Sequence, residues 1–317
     1  NLNTPTYILI ATFVGATLLA VDNPTRQALI PTLVPRHDLM NALALNAATY
    51  NGAALLGPAI AGFLLSVVGA GWLFAANAIS YLAVIYAVSQ MPAVDEASRT
   101  PSTLGDALLG GVRYARGHAL TGILLLTSAV LSLFGRSYQQ VLPIYADDIW
   151  HISAQGYGIM LSAAGAGAMI GALGMASLPR ITPNGRNLKF AGVLFAVLLA
   201  CFALTTVWWI GVVLLVCIGI MSTAATTFIA TMLQLDVPGN LRGRVMSLHA
   251  ITLIGVPSVG GLLVTSLTTL LGTGADTHAI NAAGAPLALL VGAATVALLF
   301  VVVRIPLRDS TAPEPVR

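Results

Sequence analysis

Several ionisable residues of this sequence lie inside long apolar runs, among them Asp22, Arg26 and Arg136. A charge at the centre of an apolar helix costs roughly 2.5–3.5 kcal/mol on membrane-insertion scales, so such residues are usually paired or functional. Asp22 and Arg26 are four residues apart and can pair on one helix face. The pair is either a structural contact near a helix end or a charge switch that exchanges partners. Arg136 either reaches outward to water or to Asp147 or Asp148, or faces an internal cavity, where it would attract an anion or relay charge.

Uncharged polar residues in the apolar runs form a second group of candidates. Several are spaced three or four residues apart and therefore share a helix face. Such a face either presents hydrogen-bonding groups to a cavity or bonds one helix to its neighbour, at well under about 2 kcal/mol for each bond. The cavity candidates are Asn46, Tyr50, Asn77, Tyr81, Gln139, Gln140 and His249.

His249 differs from the other cavity candidates because an imidazole titrates near neutral pH. It could therefore take part in proton coupling, with Thr252 three residues further along the same helix face. The sequence Arg242-Gly-Arg244 stands just before it and places it near the cytoplasmic edge of a span. That position favours a structural role.

The apolar runs that hold these residues indicate a membrane protein. Apolar residues make up 57% of the chain, charged residues 8%, and the mean hydropathy is +0.89, whereas about a quarter of the residues of a soluble domain are charged. A bilayer core about 30 Å thick needs roughly 20 apolar residues per helix. Continuous runs without strand-like alternation predict helices. We predict nine spans, at approximately 6–30, 42–68, 70–91, 119–145, 155–178, 188–205, 208–234, 246–271 and 282–303.

The basic residues sort to one side of these predicted spans. Lys and Arg of short loops collect on the cytoplasmic side of a membrane. If the loop VPRHDLM (34–40) is cytoplasmic, every basic residue except Arg136 lies on that side or at its edge. The carboxyl terminus is then cytoplasmic. The net charge of +3 therefore reflects topology, and no nucleic-acid partner is expected.

No motif of the sequence predicts an enzyme, a cofactor or a metal site. Cys201 and Cys217 both fall inside predicted spans, so neither a disulfide framework nor a thiolate site is indicated. The five histidines have no metal-ligand spacing with acidic residues. A Gly-rich phosphate loop with its lysine is also missing from the sequence.

Two segments of the sequence repeat one another. VPRHDLMNALALNAATYNGAALLGPAIAGFLL starts at position 34, and VPGNLRGRVMSLHAITLIGVPSVGGLLV starts at position 237. Each begins with Val-Pro and reaches a proline with a glycine four residues later: Pro58 and Gly62, then Pro257 and Gly261. They belong to the second and eighth predicted spans, and a repeat of six spans predicts two sets of six. A chain of nine spans would then lack the first three.

Several stretches of the chain carry a resemblance to a known family: DNPTRQALIPTLVPRHDLMNALALN (22–46), LLGPAIAGFLL (55–65), FAANAISYL (74–82), GVRYARGHAL (111–120), VLPIYADDIW with YGIMLSAAGAGAMIGAL (141–173) and VPGNLRGRVMSL (237–248). In this order and spacing they resemble the transmembrane secretion effectors of the major facilitator superfamily. That branch includes enterobactin-type siderophore exporters and macrolide efflux proteins. The resemblance covers nearly the whole chain.

This resemblance implies an all-α polytopic membrane protein with the major facilitator fold. The nine predicted spans then correspond to the family's helices four to twelve, and the chain is an N-terminally truncated form. The implied organisation is a partial N-terminal half (1–91), a cytoplasmic linker with a short amphipathic helix (92–118), a six-helix half (119–304) and a cytoplasmic tail (305–317).

The resemblance also gives a role to the small residues of the repeated segments. In the family, the Gly-Pro pair on the fifth helix is similar to a motif associated with exporters. That motif is implied to form a bent, close-packed pair of helices that seals the interior. The alternative is that these residues serve only helix packing. The packing or gating candidates are Gly52, Gly57, Pro58, Gly62, Gly255, Pro257, Gly260 and Gly261. In the loop VPGNLRGRVMSL, Arg242 and Arg244 are implied to latch helices on the cytoplasmic face.

The function implied is secondary active export of a siderophore-like or amphipathic drug-like small molecule by proton antiport. The expected partners are that small molecule, protons and the lipid bilayer, with the protein a monomer in a bacterial inner membrane. Two alternatives stay open. The chain is a non-transporting fragment, because nine spans with half of one repeat missing should transport poorly, or it is a passive polytopic protein such as a channel.

Overall fold

The computed structural model describes residues 10, 13–15, 17–18, 35, 39–90, 104–177, 182–274 and 276–303. All secondary structure in these residues is helical. The helices are α1 (Leu39–Val68), α2 (Ala70–Ser89), α3 (Leu104–Gly117), α4 (Ala119–Ile149), α5 (Ala154–Ser177), α6 (Gly185–Leu204), α7 (Trp208–Asp236), α8 (Gly239–Ile254), α9 (Val256–Leu271) and α10 (Thr277–Val302).

Seven helical stretches in the described residues are long and apolar enough to cross a membrane. They are α2, α4, α5, α6, α7, α10 and one stretch from Leu241 to Leu271 that joins α8 to α9. Within α1, only Leu55–Val68 forms an apolar helix, and it is shorter. The predicted run 6–30 lies largely outside the described residues. The all-helical polytopic class is confirmed, and the count of nine spans is not.

Side-chain caps extend two helices beyond the predicted apolar runs. The Asn184 side chain accepts a hydrogen bond from the backbone N–H of Asn187 (2.9 Å), so α6 begins at Gly185. The Asp276 carboxylate accepts one from the N–H of Ala279 (2.8 Å) and starts α10 at Thr277. Hydropathy places both starts too late, because it counts a polar first turn as loop although capping makes that turn helical.

Helix α4 is irregular over its second half. A π-helical turn runs from Leu131 to Gly135, a 3-10 segment follows from Arg136 to Gln140, and a second π turn covers Tyr145–Ile149. Wide and tight turns rotate the side chains relative to an ideal helix. The irregular stretch contains three of the candidates from the sequence, Arg136, Gln139 and Gln140.

The core lies among α4, α5, α6, α7, α9 and α10. Helix α5 packs on α7, α7 on α6, α6 on α10, α10 on α9 and α9 on α4. The largest fully buried side chains include Tyr145, Phe195, Phe202 and Phe300. Small residues let the backbones of α5 and α7 touch, since Gly167 lies against the carbonyl of Val216.

The first three helices pack differently from this core. Helix α1 lies along α5, whereas α2 contains no buried residue. Helix α3 packs on α8 and on the start of α4. It falls within the predicted linker 92–118, where a short helix is expected, with Arg113 and Arg116 exposed.

Candidate functional site

The irregular part of α4 separates a polar face from a buried face. Ser137, Tyr138 and Val141 are buried in the core. On the other side, Arg136 is half-buried and both Gln139 and Gln140 are exposed. All three residues belong to one 3-10 segment, Arg136–Gln140. These groups can donate several hydrogen bonds to an oxygen-rich or anionic molecule.

The Arg136 guanidinium is not neutralised by the acidic residues that follow it. Within the described residues, no carboxylate lies within ion-pair distance of Arg136. The Asp148 carboxylate pairs instead with the His278 ring on α10. The proposed pairing of Arg136 with Asp147 or Asp148 is therefore not formed in this structure.

The first Gly-Pro motif lies at a close contact between α1 and α5. A Cβ added at Gly62 would be 2.8 Å from the carbonyl oxygen of Ala154, and one added at Gly158 would be 2.5 Å from that of Pro58. The two backbones therefore touch along Pro58, Gly62 and Gly158. Gly52 and Gly57 have no atom of the described residues within 4 Å of an added Cβ, so they lie outside this contact.

The second Gly-Pro motif separates α8 from α9 and packs against α4. Gly255 ends α8, and Pro257 lies in the first turn of α9. Gly260 lies against the Leu133 carbonyl and the Ser137 hydroxyl of α4, and Gly261 against the side chain of Gln140. Gly255 meets only its own helix at Ile251. The two repeat copies therefore contact different helices, α5 and α4.

The basic start of α8 lies against α3. A Cβ at Gly110 would be 2.9 Å from the Arg244 guanidinium, and one at Gly111 would be 2.9 Å from the Arg244 carbonyl oxygen. Arg242 and Arg244 are both exposed. Nearby, the Thr121 hydroxyl donates to the Asp236 carboxylate at 2.8 Å and joins α4 to the end of α7.

Three of the remaining polar candidates are exposed, and one is buried. Asn46 on α1 and Asn77 and Tyr81 on α2 are exposed. His249 is 2% exposed and lies between α8 and α4, where its Nδ1 is 3.1 Å from the Ser128 hydroxyl.

Other candidates lie wholly or partly outside the described residues. Tyr50 belongs to α1, but its side chain is not among the described ones. Asp22 and Arg26 lie outside the described residues altogether.

The sequence did not predict a cluster where α4 ends and α10 begins. Asp147, Asp148 and His278 bring one ligand atom each within 4.8 Å of one another, a set that could hold a cation. His278 is 130 residues from Asp148 in sequence. Spacing along the chain therefore carries no signal for this cluster.

Comparison with known proteins places this geometry in a family. A family model described as transmembrane secretion effector matches residues 1–316. The fold is similar to that of a bacterial homologue of the human lysosomal transporter Spinster, solved in an inward-facing and unoccupied conformation. The TM-score is 0.57 at 16% identity, and the match covers 88% of this chain and 72% of that one.

Curated relatives include bacterial exporters. The enterobactin exporters EntS of Shigella boydii serotype 18 and of Escherichia coli O1:K1 are each 27% identical to this chain over 240 residues. The match covers 76% of this chain and 57% of each relative. The chain thus spans less than two thirds of the length of these relatives.

Proposed function

Because this chain belongs to the transmembrane secretion effector family of the major facilitator superfamily, we propose that the protein exports a small molecule from bacteria by alternating access. The export is driven by protons that move in the opposite direction across the inner membrane. The multi-pass helical structure and the exporters among the relatives support this proposal. Residues 1–91 and 119–304 belong to the two halves that move, residues 92–118 connect them, and residues 305–317 form a cytoplasmic tail.

The polar face of α4 carries the proposal. Arg136, Gln139 and Gln140 lie partway along a helix long enough to span a bilayer, while Tyr138 and Val141 anchor its other side in the core. A half-buried guanidinium without a carboxylate partner among the described residues is costly in a membrane unless it reaches water at the surface or faces a polar cavity. We therefore place the cargo on this face.

The chemistry of this face favours a cargo with anionic or catechol oxygens. A guanidinium forms its strongest hydrogen bonds with anionic oxygens, and the two amides add both donors and acceptors. Enterobactin, the cargo named for the EntS relatives, has this chemistry. An amphipathic drug-like cation is the competing class, and it would gain nothing from Arg136.

Two contacts fit the movement that alternating access requires. The backbone contact of Gly62 and Gly158 joins α1 to α5 and can act as the closing surface between halves. The contact of Arg244 with Gly110 and Gly111 joins α8 to the linker helix. We propose that it acts as a cytoplasmic latch.

The test is uptake into proteoliposomes with an acidic lumen. We expect the protein to accumulate enterobactin and a protonophore to abolish the accumulation. Arg136→Ala should lower the initial rate of enterobactin transport by about tenfold, the effect of roughly 1.4 kcal/mol, and Arg136→Lys by less. Arg186→Ala removes an exposed cation at the start of α6 and is the matched control.

Each alternative gives a different result in this assay. A passive channel would equilibrate enterobactin without accumulating it, with or without the protonophore. A non-transporting fragment would show no uptake in any condition. If ethidium accumulates and enterobactin does not, and Arg136→Ala leaves the ethidium rate unchanged, the protein exports cations and the assigned cargo class is wrong.

A further inference from the structure

A buried polar group connects α4 to α8 inside the six-helix half. The Ser128 hydroxyl lies 3.1 Å from Nδ1 of His249 and 2.7 Å from the Thr252 hydroxyl. The Thr252 hydroxyl also donates to the backbone carbonyl of His249 at 2.7 Å. All three side chains are buried, and the ring of His249 is 2% exposed.

The hydrogen atoms of this group can be assigned by counting donors. Thr252 has one hydroxyl hydrogen, and it is donated to the His249 carbonyl. In the arrangement with that donation, the bond between the two hydroxyls uses the hydrogen of Ser128. Ser128 then accepts from Nδ1–H of His249. This arrangement selects the tautomer in which Nε2 carries a lone pair and no proton.

The Nε2 atom of His249 has no hydrogen-bond partner among the described residues in this packing. It is also buried. A proton added there would place a cation away from water, with Nδ1–H bonded and Nε2–H unbonded. Such a charge is costly to bury. The observed contact of α4 with α8 therefore favours the uncharged imidazole of His249.

The charged and titratable groups around α8 stand away from His249 along the helices. Helices α3, α4, α7 and α9 pack against α8, and α9 contains no ionisable residue. Along α8, Arg244 is five residues from His249. Along α4, Arg136 is eight residues from Ser128, and Thr121, which bonds Asp236, is seven residues from it. At 1.5 Å per residue, these offsets correspond to about 7–12 Å. On α3 and at the start of α8, the remaining groups whose side chains the structure describes are Arg113, Tyr114, Arg116 and Arg242; α3 also contains Asp106.

We infer that Nε2 of His249 is the atom that binds the transported proton, and that it does so only when α8 moves away from α4. This inference rests on the proposed antiport and names its proton site. Proton binding requires water at Nε2, whereas the observed packing excludes water and the proton together. A ring that is protonated in one packing and uncharged in the other couples proton movement to the conformational change.

The test separates proton-driven transport from exchange. His249→Gln keeps a side-chain amide that can bond Ser128 but cannot carry a proton at neutral pH. In proteoliposomes, we expect this variant to lose enterobactin accumulation driven by an acidic lumen. We expect it to retain exchange of labelled for unlabelled enterobactin at equal pH. Ser132→Ala, which removes a buried hydroxyl with no partner among the described residues one turn from Ser128, is the matched control and should retain both activities.

A distance measurement between α4 and α8 distinguishes a loss of proton binding from misfolding of the variant. Spin labels at Leu126 on α4 and Ile254 on α8, both exposed, with Cys201 and Cys217 replaced by serine, report the separation of the two helices. We expect that distance to change between pH 8 and pH 5 in the wild-type background and to stay constant in His249→Gln.

Two results distinguish this inference from the proposed function. If enterobactin accumulation by the wild-type protein does not depend on the pH gradient, the proposed antiport is wrong, and the assignment of its proton site is then wrong as well. If the wild-type protein responds and His249→Gln keeps both gradient-driven accumulation and the pH-dependent distance, only the assignment of His249 is wrong.

Discussion

Gly158 of α5 lies so close to Pro58 of α1 that a Cβ at Gly158 would be 2.5 Å from the Pro58 carbonyl oxygen. The same Cβ would be 3.1 Å from the α-carbon of Gly62. Proline at position 58 cannot donate a backbone hydrogen bond, and its ring bends a helix. The absent side chains of Gly62 and Gly158 let the two helix backbones meet.

Gly158→Ala should destabilise the folded protein. The added methyl group must displace backbone atoms of α1, and overpacking of this kind typically costs about 1–3 kcal/mol. Gly174→Ala on the same helix is the control, because no atom in the part of the chain that the structure describes lies within 4 Å of its added Cβ. Alanine's higher helix propensity should leave that variant neutral or up to about 1 kcal/mol more stable. Thermal unfolding in detergent measures both, and equal unfolding temperatures would contradict the contact.

The contact of α3 with α8 should respond differently to two adjacent substitutions. Gly111→Ala meets the backbone carbonyl of Arg244, which cannot move without shifting α8. Gly110→Ala meets only the Arg244 side chain, which can rotate away. We expect faster amide hydrogen exchange throughout α3 in Gly111→Ala and unchanged or slower exchange in Gly110→Ala. Faster exchange in both variants would show that the Arg244 side chain itself is held rigidly.

The hydrogen bond of Thr121 with Asp236 should contribute more to stability than a buried threonine bond within one helix. Thr121→Val removes a 2.8 Å bond to a carboxylate, and bonds to charged groups are worth about 1.5–3 kcal/mol. Thr127→Val is the control, since the buried Thr127 hydroxyl bonds the Ile123 carbonyl of its own helix at 2.8 Å. Its loss should cost about 1 kcal/mol. Chemical unfolding curves that give equal costs would show that the link from α4 to α7 adds nothing.

Features that depend on local sequence could be predicted. Continuous apolar runs have to become helices in a membrane, and the structure has α2 and α4 to α10 close to where hydropathy places them. The contact of Pro58 and Gly62 follows from small residues at a helix surface.

Features that depend on pairing between distant helices could not be predicted. Ser128 and His249 are 121 residues apart, and no periodicity in either helix identifies the other as its partner. The π and 3-10 turns of α4 also have no sequence signal that hydropathy detects. Gly158 is one of many small residues in α5, so only the crossing of the helices reveals which glycine meets Pro58.

The polar face of α4 should be reached by water from a cavity and not lie in lipid. Single cysteines at Arg136, Gln139 and Gln140, with Cys201 and Cys217 replaced by serine, should react with a membrane-impermeant maleimide, because a thiol reacts as the hydrated thiolate. Cysteine at Tyr138, which is 3% exposed and in the core, should stay unlabelled. Saturating enterobactin should slow labelling at Arg136 and Gln140, since cargo bound there covers them. Labelling that fails at all three positions in folded protein would place this face in lipid and remove it from the cargo path.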